Sequence, residues 1–270
     1  MNFPGKKKLR HWFWVLAFKY PRFRIVLTRL LVPSRETRVQ IFGADLCINT
    51  REEIGLWRAS RMAEENVIFR DEAASLVNLA LLLQPGDTFV DVGANVGLYS
   101  SILSRFHNVF PQSSCVAIEA NPETAVRLRQ SVRQGGVTVL NIGVSSQRGE
   151  LHFEPGVTSG VFKVAAAPGA KGAVQIQCDA LDALSLPPTD LVVKIDVEEH
   201  ELQVLEGAKQ LFAAGRIKVI YLDGYTGSAI PDFLRQKDFV LFEGRTLRRC
   251  DEAPPAYSLL GIHRTRLLQS

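Results

Sequence analysis

From Thr88 to the end of the chain, short apolar runs alternate with helical stretches, and this alternation narrows the fold more than any other feature. The strand candidates are Thr88–Val92, Ser114–Ala120, Thr138–Val144, Leu191–Val197, Lys218–Leu222, Phe239–Glu243 and Ser258–His263. The helix candidates between them are Leu98–Phe106, Pro122–Gln134, Glu199–Ala213 and Ser228–Gln236. Strands apolar on both faces that alternate with helices form a mostly parallel sheet covered on both sides. The stretch Gly149–Ala183 breaks the rhythm and reads as a local hairpin, Leu151–Glu154 with Val174–Cys178, around a long loop at Gly156–Gly172. A loop of that length is functional or mobile. Ahead of the alternation, Val39–Ile48 reads as a strand or hairpin. Asp71–Leu83 reads as a helix stopped by the turn Gln84-Pro85-Gly86-Asp87.

With 270 residues, 46% hydrophobic and 22% charged, the chain has room for one large domain with an appendage. This composition excludes a disordered chain, a fibre and a polytopic membrane protein. The net charge of +4 is unevenly placed: residues 1–38 carry ten Lys/Arg against one acid, Glu36, so the remainder is mildly acidic. An acidic body argues against a nucleic-acid partner. The expected organisation is a basic aromatic arm at 1–38, a lead-in segment at 39–86 and the main domain at 87–270. The arm's apolar run, Trp12 to Phe18, is far shorter than the roughly 20 residues of a membrane span. Its Trp, Lys and Arg residues suit the surface of an anionic membrane, or a helix packed on the body. Cys47, Cys115, Cys178 and Cys250 are scattered without metal-ligand spacing, which points to a reducing, cytoplasmic setting, peripheral to the membrane where the arm engages it.

The segment FVDVGANVGLYSSIL, Phe89 to Leu103, runs an apolar strand into Asp91, then Gly93, Asn95 and Gly97, then a helix. The glycines permit a sharp turn and close approach of a ligand to the backbone. The spacing is not that of a dinucleotide-binding turn, and an acid at the strand end suits a ligand carrying an ammonium group, such as S-adenosylmethionine. The next strand ends in Glu119, a carboxylate placed to accept ribose hydroxyls. Asn121 follows it. A second constellation, LVVKIDVEEHELQVLEGAKQLF, places Lys194 and Asp196 on one side of a strand, with Glu198 at the turn and His200 and Glu201 opening a helix. A helix dipole accounts for Glu199 and Glu201, whereas a buried Asp196 needs a partner. Such a cluster could accept a proton or hold a divalent ion.

Together these segments resemble the FkbM family of S-adenosylmethionine-dependent methyltransferases, over roughly Asp71 to Gly224. The likeness is carried by LLLQPGDTFVDVGANVGLYS, IEANPET, the ALDAL segment with Leu181 and Asp182, and KIDVEEHELQVLEGA. It implies the class I methyltransferase fold, Rossmann-like, with seven strands and helices on both faces. It also implies S-adenosylmethionine as cofactor and O-methylation of a hydroxyl on a sugar, glycan or natural product. It assigns Asp91, Gly93, Asn95, Gly97, Glu119 and Asn121 to the cofactor. Asp196, Glu198, Lys194 and His200 fall to catalysis, with Asp196 as first base. The sequence departs from the family pattern at Glu199, where glycine follows the acid, and at Asp223, where the acid is one methylene longer. The competing readings are a non-catalytic membrane-surface adaptor, a nucleic-acid methyltransferase and a nicotinamide-dependent oxidoreductase. The acceptor, any metal and the oligomeric state stay open.

Overall fold

The computed structural model describes residues 32–61, 67–105, 112–155, 162–164, 174–225, 227–250 and 258–268, with the backbone alone at 67–71, 153–155 and 162–164. The greater part of the basic arm and of the Gly156–Gly172 loop therefore lies outside the described residues.

The chain opens with a hairpin, β1 (Glu36–Ile41) and β2 (Ala44–Asn49), followed by α1 (Ile54–Ala59) and α2 (Val67–Leu82). β1 begins inside the stretch 1–38 assigned above to the arm, and Glu36 to Arg38 pair with β2. The central domain then runs β3 (Thr88–Val92), α3 (Leu98–Leu103), β4 (Ser114–Ile118), α4 (Pro122–Ser131) and β5 (Thr138–Leu140). After it come β6 (Gly143–Ser145), β7 (Gly149–Pro155), β8 (Phe162–Val164) and β9 (Val174–Ala180). The second half is β10 (Leu191–Ile195), α5 (Glu201–Glu206), α6 (Lys209–Ala213), β11 (Ile217–Asp223), α7 (Ala229–Gln236), β12 (Phe239–Glu243), β13 (Ser258–His263) and α8 (Arg264–Leu267).

Seven strands form one sheet in the order β12-β13-β11-β10-β3-β4-β5. The pairs from β5 to β11 are parallel, and β13 runs antiparallel to both neighbours. This is the seven-stranded, mostly parallel class I methyltransferase sheet expected from the sequence. The strand order reverses between β3 and β10, which opens a crevice at their carboxyl ends. Alternate residues feed two cores. Val90, Val92, Val193 and Ile195 pack on the face covered by α5, α6 and α7. Phe89, Val192, Val219 and Tyr221 pack on the face shared with the hairpin, α2 and α3. The lead-in segment is thus built into the domain's core, and a buried Arg127 on α4 fastens it by ion pairs at 2.5 Å to Glu52 and 2.9 Å to Glu53.

Two expected elements are divided. Thr138–Val144 is not one strand: β5 ends at Leu140, and β6 crosses into a second sheet, parallel to β9 and adjoining the β7–β9 hairpin. The helix expected at Glu199–Ala213 breaks at Gly207 and Ala208. A Cβ on Gly207 would lie 2.1 Å from the Ser145 carbonyl oxygen, so the break is where the helix meets β6. Among the described residues, no helix is long and apolar enough to cross a membrane.

Candidate active site

The turn after β3 is built by three residues with positive φ: Gly93 (76°), Asn95 (50°) and Gly97 (88°). Glycine at 93 also answers a close approach, since a Cβ there would sit 2.0 Å from the carbonyl oxygen of Asp196. The turn following β3 and the chain leaving β10 therefore touch backbone to backbone. The amides of Gly93 and Ala94 donate to the Ile118 carbonyl at the end of β4. The Asn95 amide donates to Glu119 Oε2 at 2.9 Å, and the Asn121 amide donates to Glu119 Oε1 at 2.8 Å. Each oxygen keeps a lone pair for a further donor, as paired ribose hydroxyls would require. Burial pushes the Glu119 carboxyl up to about 7, against the lowering effect of the two amides. The Asn121 side chain itself caps α4, its Oδ1 accepting from the Glu123 amide at 2.9 Å.

Parallel pairing sets Asp91 beside Lys194, in register on β3 and β10. Asp91 is 1% exposed. Its Oδ2 accepts from Ser100 Oγ at 2.6 Å, and its Oδ1 lies 3.5 Å from Lys194 Nζ with no hydrogen-bond donor among the described residues. Lys194 donates to Asp196 Oδ2 at 3.0 Å and sits 4.7 Å over the Tyr99 ring. Burial alone would lower the proton affinity of Lys194, but the charges of Asp196, Asp91 and Asp223 outweigh it and hold the ammonium above the usual lysine range. Asp196 is the member of the pair that reaches the cleft, with 41% of its side chain exposed.

Glu198 and His200 line the same cleft as Gly93, Asn95, Glu119 and Asp196. His200 Nε2 shares a hydrogen bond of 2.9 Å with Ser145 Oγ, and burial pushes its pKa down. Glu199 adopts φ of 60°, a conformation that glycine takes freely. The structure thus gathers the two constellations at one crevice and turns Asp91 inward beneath it.

Sequence reasoning missed the groups behind Lys194. Tyr99 on α3 donates to Glu72 Oε2 on α2. Tyr221 bonds Ser75 Oγ at 2.7 Å and donates to Asp223 Oδ1 at 3.4 Å. Glu72 and Ser75 stand one helical turn apart in a segment read only for its apolar spacing, so nothing local marked them. Among the described residues, no group of three or more His, Cys, Asp or Glu is placed to hold a metal ion.

The donor set fits S-adenosylmethionine. Glu119 with its bracketing amides matches a ribose, the glycine turn leaves room for backbone approach, and the cleft's carboxylates suit a cationic ligand. A hexuronic acid methyltransferase, AglP, of Haloferax volcanii is 34% identical over 173 residues, spanning 62% of this chain and 64% of the relative. The match thus covers less than two thirds of that protein's length. Among solved structures, a precorrin-6y C5,15-methyltransferase from Geobacter metallireducens aligns over 70% of this chain and 87% of its own, at 20% identity and a TM-score of 0.40. A TehB-like methyltransferase from Corynebacterium glutamicum aligns over 76% and 92%, at 11% identity and a TM-score of 0.42. Residues 91–241, more than half of the chain, match the family described as the methyltransferase FkbM domain, and the chain belongs to that family.

Proposed function

We propose that the protein is an S-adenosylmethionine-dependent methyltransferase that modifies a hydroxyl group of a sugar or glycan. The observation that carries this reading is Glu119, held by the Asn95 and Asn121 amides in the cleft that Asp196 also lines. The hexuronic acid named for the Haloferax relative supports a sugar acceptor.

S-adenosylmethionine supplies an activated methyl group for in-line displacement. In this reading Glu119 and the Gly93–Gly97 turn bind the adenosine end. Asp91, fixed by Ser100 on α3 and Lys194 on β10, puts a buried negative charge beneath the turn. Asp196 receives the proton that leaves the acceptor hydroxyl as the new C–O bond forms. Lys194 aims that carboxylate through its 3.0 Å contact and is itself held by the Tyr99 ring. Glu198 and His200 border the acceptor. A positioned base contributes roughly 100- to 10,000-fold in rate. For the basic arm ahead of the hairpin, the reading stays double: contact with an anionic membrane surface, or a helix packed on the body.

Calorimetric titration with S-adenosylmethionine and S-adenosylhomocysteine tests the reading, alongside transfer of labelled methyl groups to a panel of hexose and hexuronic acid glycosides. Glu119→Ala is expected to weaken both ligands by roughly 10- to 100-fold, the loss expected when hydrogen bonds to a charged group are removed. Asp196→Asn is expected to keep affinity for the uncharged-sulfur ligand S-adenosylhomocysteine within about threefold while transfer falls at least about 100-fold. A folded wild-type chain that binds neither ligand overturns the reading.

A further inference from the structure

Lys194 is a buried cation with more carboxylates around it than it can neutralise. Asp91 and Asp196 touch it at 3.5 and 3.0 Å. Behind its Tyr99 platform stands Glu72, which accepts the Tyr99 hydroxyl. Asp223 closes the group from β11, bonded to Tyr221, whose ring stacks on Tyr99 at 6.4 Å between centroids. Arg245 adds a cation on the Asp223 side. Glu72 and Asp223 thus stand within electrostatic reach of the ammonium that Asp91 and Asp196 already contact, which concentrates negative charge in a largely buried place. The Asp91 Oδ1 atom is buried and accepts no hydrogen bond among the described residues, with Lys194 Nζ 3.5 Å away.

A proton held within the group would lower that density of like charge. Tyr99 keeps its own, because burial and the neighbouring Glu72 raise it well above the usual phenol range. Glu72 is the group pushed to the edge: burial first, then the charge of Asp223, raise its carboxyl to about 7, with Asp196 adding to the effect and Tyr99 and Lys194 opposing it. We propose that Glu72, on α2 ahead of the matched family segment, is a proton-holding residue that releases its proton to solvent when a cationic ligand enters the cleft lined by Asp196. This rests on the cofactor reading above and extends it. The sulfonium of S-adenosylmethionine brings one positive charge more than the thioether of S-adenosylhomocysteine, so the two ligands differ in the property that matters.

The test is calorimetry of the full chain at about pH 6.5 in phosphate, PIPES and imidazole, whose different heats of ionisation count the protons released. S-adenosylmethionine is expected to release about half a proton more than S-adenosylhomocysteine. Glu119 meets the ribose of both ligands, so its contribution cancels in the difference. Between about pH 6 and 8 the affinity for S-adenosylmethionine should rise roughly three- to fivefold relative to S-adenosylhomocysteine. Glu72→Gln keeps an oxygen for Tyr99 but cannot titrate. It should remove both the extra proton and the relative rise. Equal proton release by the two ligands in the wild type, or an unchanged difference in Glu72→Gln, overturns the proposal and leaves the cofactor reading standing. Should the variant fail to fold, the wild-type comparison of the two ligands decides. Absence of binding by either ligand overturns both.

Discussion

Glu199 shows what a single residue can reveal at this site. The sequence marks it as a departure from the family pattern, and the structure supplies the physical reason: its φ of 60° is a left-handed conformation. Side chains there cost about 1–2 kcal/mol, whereas the added freedom of glycine in the unfolded chain costs about 0.5–1 kcal/mol. Glu199→Gly is therefore expected to stabilise the fold by about 0.5–1 kcal/mol, read as a higher urea midpoint with an unchanged slope. A lower midpoint would show that the glutamate side chain contributes contacts that outweigh the strain. Asp91 teaches the opposite lesson. Its type and place were legible, but its partner was not. Lys194 lies 103 residues away in sequence and is brought alongside only by the parallel register of β3 and β10.

Among elements, those with a clean two-residue or helical period were read closely. β3, β12 and β13 have the bounds expected of them. The misses lie at junctions and in the lead-in segment, where α1 was not expected and α2 starts at Val67, four residues ahead of the expected Asp71. An apolar run across Thr138–Val144 carries no local sign that β6 leaves the main sheet, because the cause is its pairing with β9 more than thirty residues on. The break at Gly207 is likewise set by the closeness of Ser145. The start of α4, in contrast, was visible as Asn-Pro. Asn121 Oδ1 accepts from the Glu123 amide, with Pro122 in the first turn. Asn121→Ala should cost about 1 kcal/mol of stability, the usual value of such a cap. Because the bond to Glu119 comes from the Asn121 backbone amide, S-adenosylhomocysteine affinity should stay within about threefold. A loss of tenfold or more by calorimetry would mean that the side chain itself serves the cofactor.

At the scale of the whole molecule, the lead-in segment was the least legible part, since its contacts span long separations. Glu53 meets Arg127 across 74 residues, and Ser75 meets Tyr221 across 146. These contacts bring α2 and its Glu72 to the crevice, and they shape how stability depends on pH. Glu72 and Glu119 both stand at about 7 in the folded chain, well above the roughly 4.3 of an unfolded glutamate. A carboxyl with a raised pKa favours the folded state fully below its unfolded value, and that contribution is lost as pH rises toward 7. His200 and His263, both lowered by burial, act in the other direction, losing stability as pH falls below their unfolded value of about 6.5. Glu243, held at about 2 by its hydrogen bonds despite partial burial, matters only in stronger acid. The two carboxyls have the larger shifts and the wider window, so the melting temperature of the ligand-free chain should fall by several degrees between about pH 5 and pH 8. Burial also raises Glu53, Glu201 and Asp223, which act in the same direction, so Glu72→Gln should flatten that slope without abolishing it. A melting temperature that holds level or rises over this range would show that neither carboxyl keeps its proton near neutrality.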